Sequence, residues 1–303
     1  MKKLLDQLQV PYRTNEPLSA HTSFRIGGPA RFFAQPENEQ QLVALMKGIR
    51  SEKSPFFIMG NGSNLLAPDE GFDGIVVSTC TALCGVKAGE DGVVNCQSGA
   101  LLSFVGNKAL ENGLAGFEFA SGIPGSVGGG VYMNAGAYGG ELKDITEEVR
   151  YLDGNMELKV LKGSDCEFGY RSSVFKEALK GKSIILSAKF RLRQGDMREI
   201  KAVMSELAEK RREKQPLNFP SAGSTFKRPQ GYFAAALIDQ CGLKGFKVGG
   251  AMVSEKHAGF VVNAAGATCR DVLELMERVK ERVLREKGVE LEPEVELMRP
   301  LYI

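Results

Sequence analysis

The stretch "PFFIMGNGSNLL", residues 55–66, opens as an apolar strand, Phe56-Phe57-Ile58-Met59, and breaks into Gly60-Asn61-Gly62-Ser63-Asn64. A strand followed by Gly-x-Gly is how the phosphate turn of a doubly wound dinucleotide fold begins. Here Leu65 stands where the third glycine belongs, and no Asp or Glu sits at a strand end some 20 residues on to take a ribose. What remains is a loop whose N–H groups and short polar side chains can cradle an anion. A plain tight turn explains the same residues.

Working outward, residues 36–52 read as a helix, with Leu42, Leu45, Met46 and Ile49 on one stripe. Ile75-Val76-Val77 and Val93-Val94 read as short strands, and residues 101–111 as a helix stopped at Asn112-Gly113. The segment "FEFASGIPGSVGGGVYMNAGAYGGE", residues 117–141, carries eight glycines in 25 positions. That density argues against a helix or a central strand. A flexible linker is the plain alternative, but linkers are polar, and Phe, Ile, Val, Tyr and Met point to a packed, ligand-facing loop. "EEVRYLDGNMELKVL" reads as a hairpin turning at Asp153-Gly154-Asn155. "SIILSAKFRLR" alternates, with Ile184, Leu186, Ala188, Phe190 and Leu192 on one face, as a half-buried strand closing a sheet does.

A long helix is expected over residues 196–214, with Ile200, Val203, Met204 and Leu207 apolar and a solvated charge run, "EKRREK", in its last turns. Composition changes at "QPLNFPSAGSTFKRP", the entry to a last domain with helices over residues 233–240 and 270–287; the second turns Val272, Leu275, Met276, Val279 and Val283 inward. The chain closes on "VELEPEVELM". Its alternation sets Glu290, Glu292, Glu294 and Glu296 on one face, opposite Val289, Leu291, Val295 and Leu297.

Composition narrows the function classes. A chain of 303 residues exceeds one simple core, so two or three domains are expected. A net charge of +2 sets up no strong field toward nucleic acid or membrane. No signal-like N-terminus and no apolar run of spanning length are visible, so a cytoplasmic location is expected. The six cysteines, Cys80, Cys84, Cys96, Cys166, Cys241 and Cys269, form no C-x-x-C pair and read as reduced structural thiols, so no metal is expected. No G-x-x-x-x-G-K-[ST] occurs. His21 and His257 are the only histidines, too few for serine–histidine or metal–histidine chemistry.

Six motifs then fall in order: "FRIGGPARFF" (24–33), "GNGSNLL" (60–66), "SGIPGSVGGGVYMNAGAYGGE" (121–141), "YRSSVF" (170–175), "SAGSTFKRP" (221–229) and "EPEV" (292–295). Together they resemble the UDP-N-acetylenolpyruvoylglucosamine reductase family over nearly the whole chain, from about Ser19 onward. About 50 residues separate Tyr170 from Ser221, without a long tyrosine-bearing insertion, which is similar to the shorter, type II branch.

The resemblance implies a mixed α/β protein: a two-lobed FAD-binding domain of the vanillyl-alcohol-oxidase type, residues 1–80 and 81–195, and a C-terminal α/β substrate-binding domain, residues 196–303. It implies non-covalent FAD held by Gly60, Asn61, Gly62, Ser63, Asn64 and Leu65 at the pyrophosphate. Ser121, Gly122, Ile123, Pro124, Gly125, Ser126, Gly128, Asn134, Ala135 and Gly136 would lie along the isoalloxazine and pyrophosphate. Gly27-Gly28 would shape the first lobe or touch the cofactor. NADPH is the implied hydride-donating cosubstrate and an enolpyruvyl UDP-sugar the small-molecule substrate, with no obligatory protein partner evident.

The implied chemistry, hydride addition to an enol ether beside a carboxylate, needs positive charge at the developing enolate and a proton donor at the neighbouring carbon. Arg171 matches the family's fixed cation, Ser224 its proton donor with Ser221 structural, and Glu294 its catalytic glutamate, as a proton donor or as Arg171's helper. Tyr170, Lys214 and Arg228 are the implied substrate-binding residues, although Arg228 stands where the other branch has asparagine. Two rivals remain: a flavin or nucleotide binder of the same fold, which needs none of Arg171, Ser224 and Glu294, and a hydroxy-acid flavin oxidase, which calls for a histidine base.

Overall fold

The computed structural model describes residues 1–81, 83–89 and 91–301. Three main sheets follow one another along the chain. The first runs in the order Tyr12–Pro17, Pro29–Ala34, Phe72–Ser78, Phe56–Met59. Phe72–Ser78 is parallel to both neighbours, which explains why Ile75-Val76-Val77 is a continuous apolar run: such a strand is covered on both faces. The helix Glu39–Glu52 buries Leu42, Leu45, Met46 and Ile49, and the Asn38 side chain caps it by accepting from the Gln41 N–H.

The second sheet is antiparallel, in the order Leu158–Lys162, Thr146–Leu152, Ile184–Arg191, Val93–Gln97, Val86–Ala88. The expected hairpin at Asp153 is present. Ile184–Arg191, however, lies in the middle of the sheet instead of closing it. Alternation reports that one face is better buried than the other; it carries nothing about a strand's place in the sheet order.

The glycine-rich segment differs more sharply from expectation, because Val127–Tyr132, sequence VGGGVY, is a short helix capped by Ser126. A Cβ on Gly128 would stand 3.0 Å from Ser98 Cβ and 3.2 Å from Ser98 O, and one on Gly130 would stand 2.9 Å from Leu142. The glycines forgo helix propensity so that this helix can lie directly on the chain around Ser98.

The last unit packs Ala234–Gln240 and Cys269–Lys287 against the small sheet Lys247–Val248, Ala251–Val253, Val261–Asn263. The long helix buries the five positions its periodicity assigns and starts in a capping box between Thr268 and Asp271. Its first N–H groups, on Cys269 and Arg270, also donate to the Asp69 carboxylate, which ties the last unit to the first. Met197–Lys214 forms as expected, but Ile200 is its only buried residue, and Val203 is 43% exposed.

The C-terminal stretch is not one alternating strand. Lys227 N–H donates to Glu292 O, then Pro293 bridges to Phe226, and only Glu296–Leu297 forms a strand, parallel to Leu65–Leu66. Pro293 has no N–H with which to continue a ladder, and the chain changes partners there. Glu294 and Val295 are consequently both buried, while Glu290 and Glu292 face solvent.

Candidate active site

A cavity of about 710 Å³ runs between the lobes and under the last unit. Its wall holds Gly60, Asn61, Gly62, Ser63, Asn64 and Leu65, then Gly122, Ile123, Pro124, Gly125, Ser126, Gly128, Ala135 and Gly136, together with Arg171, Ser224 and Glu294. Sequence motifs drawn from five separate regions therefore meet on one surface.

The loop after Phe56–Met59 is backbone-built. The N–H groups of Asn61, Gly62, Ser63 and Asn64 donate to no backbone carbonyl among the described residues. Gly62 has φ +62, and a Cβ there would stand 2.1 Å from His21 O; only glycine fits. Asn61 Nδ2 donates to Pro124 O at 2.6 Å, joining the two glycine-rich segments. Ser98, which also lines the cavity, has a buried Oγ with no partner among the described residues. Unsatisfied donors along a deep wall cost free energy unless a ligand accepts from them, and an elongated, oxygen-rich diphosphate cofactor fits that need.

Arg171 Nε donates to Glu294 Oε1 at 2.7 Å, and Arg171 Nη2 donates to Gly136 O at 3.0 Å. Both side chains are largely buried, 17% and 10% exposed. A guanidinium has five N–H donors, so three remain available. Arg171 sits at φ +54, in the left-handed region. A non-glycine residue there costs about 1–3 kcal/mol and is held by its surroundings. Asn134 supplies part of that hold: it is fully buried, and its Nδ2 donates to Gly169 O at 2.8 Å, in the turn that carries Arg171.

Glu294 is positioned from both sides. Its N–H donates to Thr225 O, next to Ser224, and its own carbonyl accepts from Asn64 Nδ2 at 3.0 Å. Gly223, at φ +78, precedes Ser224, whose side chain is exposed to the cavity. Ser221 lies on the same wall, but its backbone bridges Val262 and its carbonyl accepts from Ser23 Oγ at 2.6 Å. Glu292 pairs with Lys227 at 3.1 Å outside the cavity, and Glu296 pairs with the buried Lys176 at 2.5 Å. Among the four glutamates of the C-terminal stretch, Glu294 is the one joined to Arg171.

Some expected residues stand off the wall. Ser121 Oγ donates to Glu118 O at 2.7 Å, Asn134 serves the Arg171 turn, and Gly27 and Gly28 pack on Ala67 and Asp69. Tyr170 lies beside Arg171, whose guanidinium is 5.1 Å from the Tyr170 ring centroid. The Tyr170 hydroxyl accepts from the Arg228 N–H at 3.2 Å. Lys214, the last residue of its helix, is exposed and lines no part of the cavity. One turn earlier Arg211 does line it, with Nε buried and unpartnered and the guanidinium 6.0 Å from the Tyr138 ring. The solvated charge run thus hides one inward arginine. Its signal was spacing, since Arg211 continues the stripe Ile200, Met204, Leu207.

The cysteines are all unpaired, and burial pushes the Cys96, Cys166 and Cys269 thiols up to about 12. Thiols so disfavoured as thiolates are not nucleophiles. Among the described residues no helix is long and apolar enough to cross a membrane.

Residues 30–161 match the FAD binding domain model, and residues 215–298 match the model of the UDP-N-acetylenolpyruvoylglucosamine reductase C-terminal domain. The chain is 48% identical over 284 residues to the UDP-N-acetylenolpyruvoylglucosamine reductase of Caldanaerobacter subterraneus, covering 94% of this chain and 92% of that one. It is 46% identical to the Agathobacter rectalis protein of the same name, covering 98% of each. The solved structure of the Thermus caldophilus reductase superposes with a TM-score of 0.77 at 34% identity, covering 96% of this chain and 99% of that one. Identities near one half over almost the full length of both chains place the chain in the UDP-N-acetylenolpyruvoylglucosamine reductase family.

Proposed function

We propose that this chain reduces the enolpyruvyl group of UDP-N-acetylenolpyruvoylglucosamine to the lactyl ether of UDP-N-acetylmuramate, a peptidoglycan precursor. The observation that carries the proposal is the buried Arg171–Glu294 pair on the cavity wall shared with Ser224. A cofactor binder has no use for a strained, ion-paired arginine facing its cavity. The arrangement also argues against a hydroxy-acid oxidase, since neither His21 nor His257 lines the cavity.

FAD, when bound, would supply the two-electron chemistry that couples NADPH oxidation to reduction of the enol ether at C3. Residues 1–80 and 81–195 are the two lobes that hold it, and residues 196–303 complete the site over the substrate. The N–H groups of Asn61–Asn64 take the diphosphate. Gly125, where a Cβ would meet nothing closer than 3.7 Å, lets a flat ring approach the main chain, while Gly128 and Gly136 set the wall close against Ser98 and Gly140. Addition at C3 leaves negative charge on C2 and its carboxylate. Arg171, which cannot deprotonate, faces that charge with its three remaining donors. Glu294 fixes the guanidinium and balances its charge. Ser224 gives its hydroxyl proton to C2, a transfer that becomes feasible because the acceptor is carbanion-like and held in reach. Tyr170 and Arg228, which adjoin Arg171 through the Tyr170 ring and hydroxyl, are the nearer candidates for substrate contact, and Lys214 stands off the cavity wall.

Acid precipitation of the purified protein should release flavin into the supernatant. Anaerobic NADPH should bleach the native protein, and UDP-N-acetylenolpyruvoylglucosamine should restore its colour with formation of UDP-N-acetylmuramate. A colourless protein, or a reduced one that this substrate does not reoxidise, contradicts the assignment.

A further inference from the structure

We propose that Phe233 is the stacking platform for the uracil of the substrate, with Arg228 beside it on the diphosphate. This rests on the chain acting on a UDP-sugar, as argued above. A line of contacts leads outward from the reacting end. Glu294 holds Arg171 at 2.7 Å, and Arg171 lies over Tyr170 at 5.1 Å. Tyr170 meets the Arg228 N–H at 3.2 Å, and the Arg228 guanidinium lies 4.6 Å from the Phe233 ring centroid. A substrate with its enolpyruvyl group at Arg171 extends its nucleotide toward this rim.

Three features of the outer end call for a flat, anionic ligand. Phe233 is 62% exposed, the largest exposure among the exposed large apolar side chains of the described residues. It occupies the N-cap of Ala234–Gln240 without a side-chain cap. That position favours Ser, Thr, Asp or Asn, so an exposed phenyl ring forgoes both burial and capping. Arg228 joins no carboxylate in the ion pairs of the described residues, whereas its neighbour Lys227 is neutralised by Glu292 at 3.1 Å. An arginine laid on an aromatic face keeps its N–H fork free for a phosphate. Beside the ring, a hollow of about 300 Å³ is bordered by Tyr232, Leu237, Gln240 and Lys287. The Gln240 amide offers the donor and acceptor that a uracil edge requires.

The test is calorimetric titration of the FAD-loaded enzyme with UDP and with inorganic pyrophosphate, for wild type, Phe233→Ala, Phe233→Tyr and Arg228→Ala. Base–aromatic stacking predicts that Phe233→Ala weakens UDP about 5- to 100-fold and leaves pyrophosphate unaltered. Phe233→Tyr should stay close to wild type, and Arg228→Ala should weaken both ligands. Wild-type UDP affinity in Phe233→Ala overturns the platform. Equal loss of pyrophosphate also overturns it, since the ring then only positions Arg228. Slowed flavin reduction by NADPH with UDP binding intact assigns the ring to the cosubstrate's adenine instead. If wild-type enzyme turns over the UDP-sugar while Phe233→Ala matches it, the platform alone fails. If wild type neither binds UDP nor turns over, the functional assignment fails with it.

Discussion

Two parts of the cavity wall, which meet where Arg171 donates to Gly136 O and Asn64 donates to Glu294 O, are built from different materials. From Gly60 to Leu65 and from Gly122 to Gly136 the wall is mostly main chain, set close by glycines such as Gly60, Gly62, Gly128 and Gly136, whose Cβ positions are already occupied by neighbours. At Arg171, Ser224 and Glu294 it is side chain, carried by a left-handed turn, a loop after a glycine and a segment that has just changed strand partners. A main-chain wall is damaged by adding atoms and a side-chain cluster by removing them. The first governs whether the cofactor is held, the second what happens beside it.

The largest effect is expected at Ser224. A positioned general acid contributes roughly 10²–10⁴-fold, so Ser224→Ala should lower product formation by the reduced enzyme by about that factor. Flavin reduction by NADPH, which needs no such acid, should stay near normal in stopped flow. Ser224→Cys should retain more activity, and Ser221→Ala should alter neither half-reaction.

Next in size is Glu294→Gln. A hydrogen bond to a charged partner is worth about 1.5–3 kcal/mol, so turnover should fall about 10- to 150-fold, with a lower urea midpoint because Arg171 loses its counter-charge. Glu292→Gln touches only an exposed pair with Lys227 and should behave as wild type in both assays. The reverse pattern moves the catalytic carboxylate to the other side of Pro293.

On the main-chain wall, Gly128→Val forces atoms into a position where a Cβ alone meets Ser98 at 3.0 Å. Overpacking costs about 1–3 kcal/mol, enough to weaken FAD binding about 5- to 150-fold in an equilibrium flavin titration. Full flavin content with normal affinity would show that the helix Val127–Tyr132 can move off Ser98 at no cost.

The smallest effect lies outside the cavity. Burial holds the His257 imidazole below its ordinary 6.5. The unfolded chain therefore binds the proton more readily, and folding stability falls as pH drops from about 6.5 toward the depressed value. His257→Gln should lose less stability than wild type between about pH 7.5 and pH 5.5, the range in which histidine titrates. Equal losses on urea unfolding would show that other groups carry the acid sensitivity.

How much of this was legible in the sequence depends on whether the cause was local. Glu39–Glu52 and Cys269–Lys287 were readable because stripe and cap sit within the helix. The main-chain wall was readable as glycine density, but the helix inside it was not, since its partner, Ser98, lies some 30 positions away in sequence. Alternation grouped four glutamates, and only the change of partners at Pro293 separates Glu294 from the others. Asn134 sits in a wall motif yet its side chain serves the Arg171 turn, a contact across 35 positions. Arg211 was masked by its charged neighbours, although its helical spacing placed it on the inner stripe.

The division between the two parts of the wall is tested most directly by measuring turnover per bound flavin on the same preparations of wild type, Gly128→Val and Ser224→Ala. Gly128→Val should carry little flavin, with the loaded fraction turning over near the wild-type rate. Ser224→Ala should carry full flavin and lose about 10²–10⁴-fold of its turnover. A Ser224→Ala enzyme emptied of flavin, or a fully loaded Gly128→Val enzyme that is inactive, would contradict it.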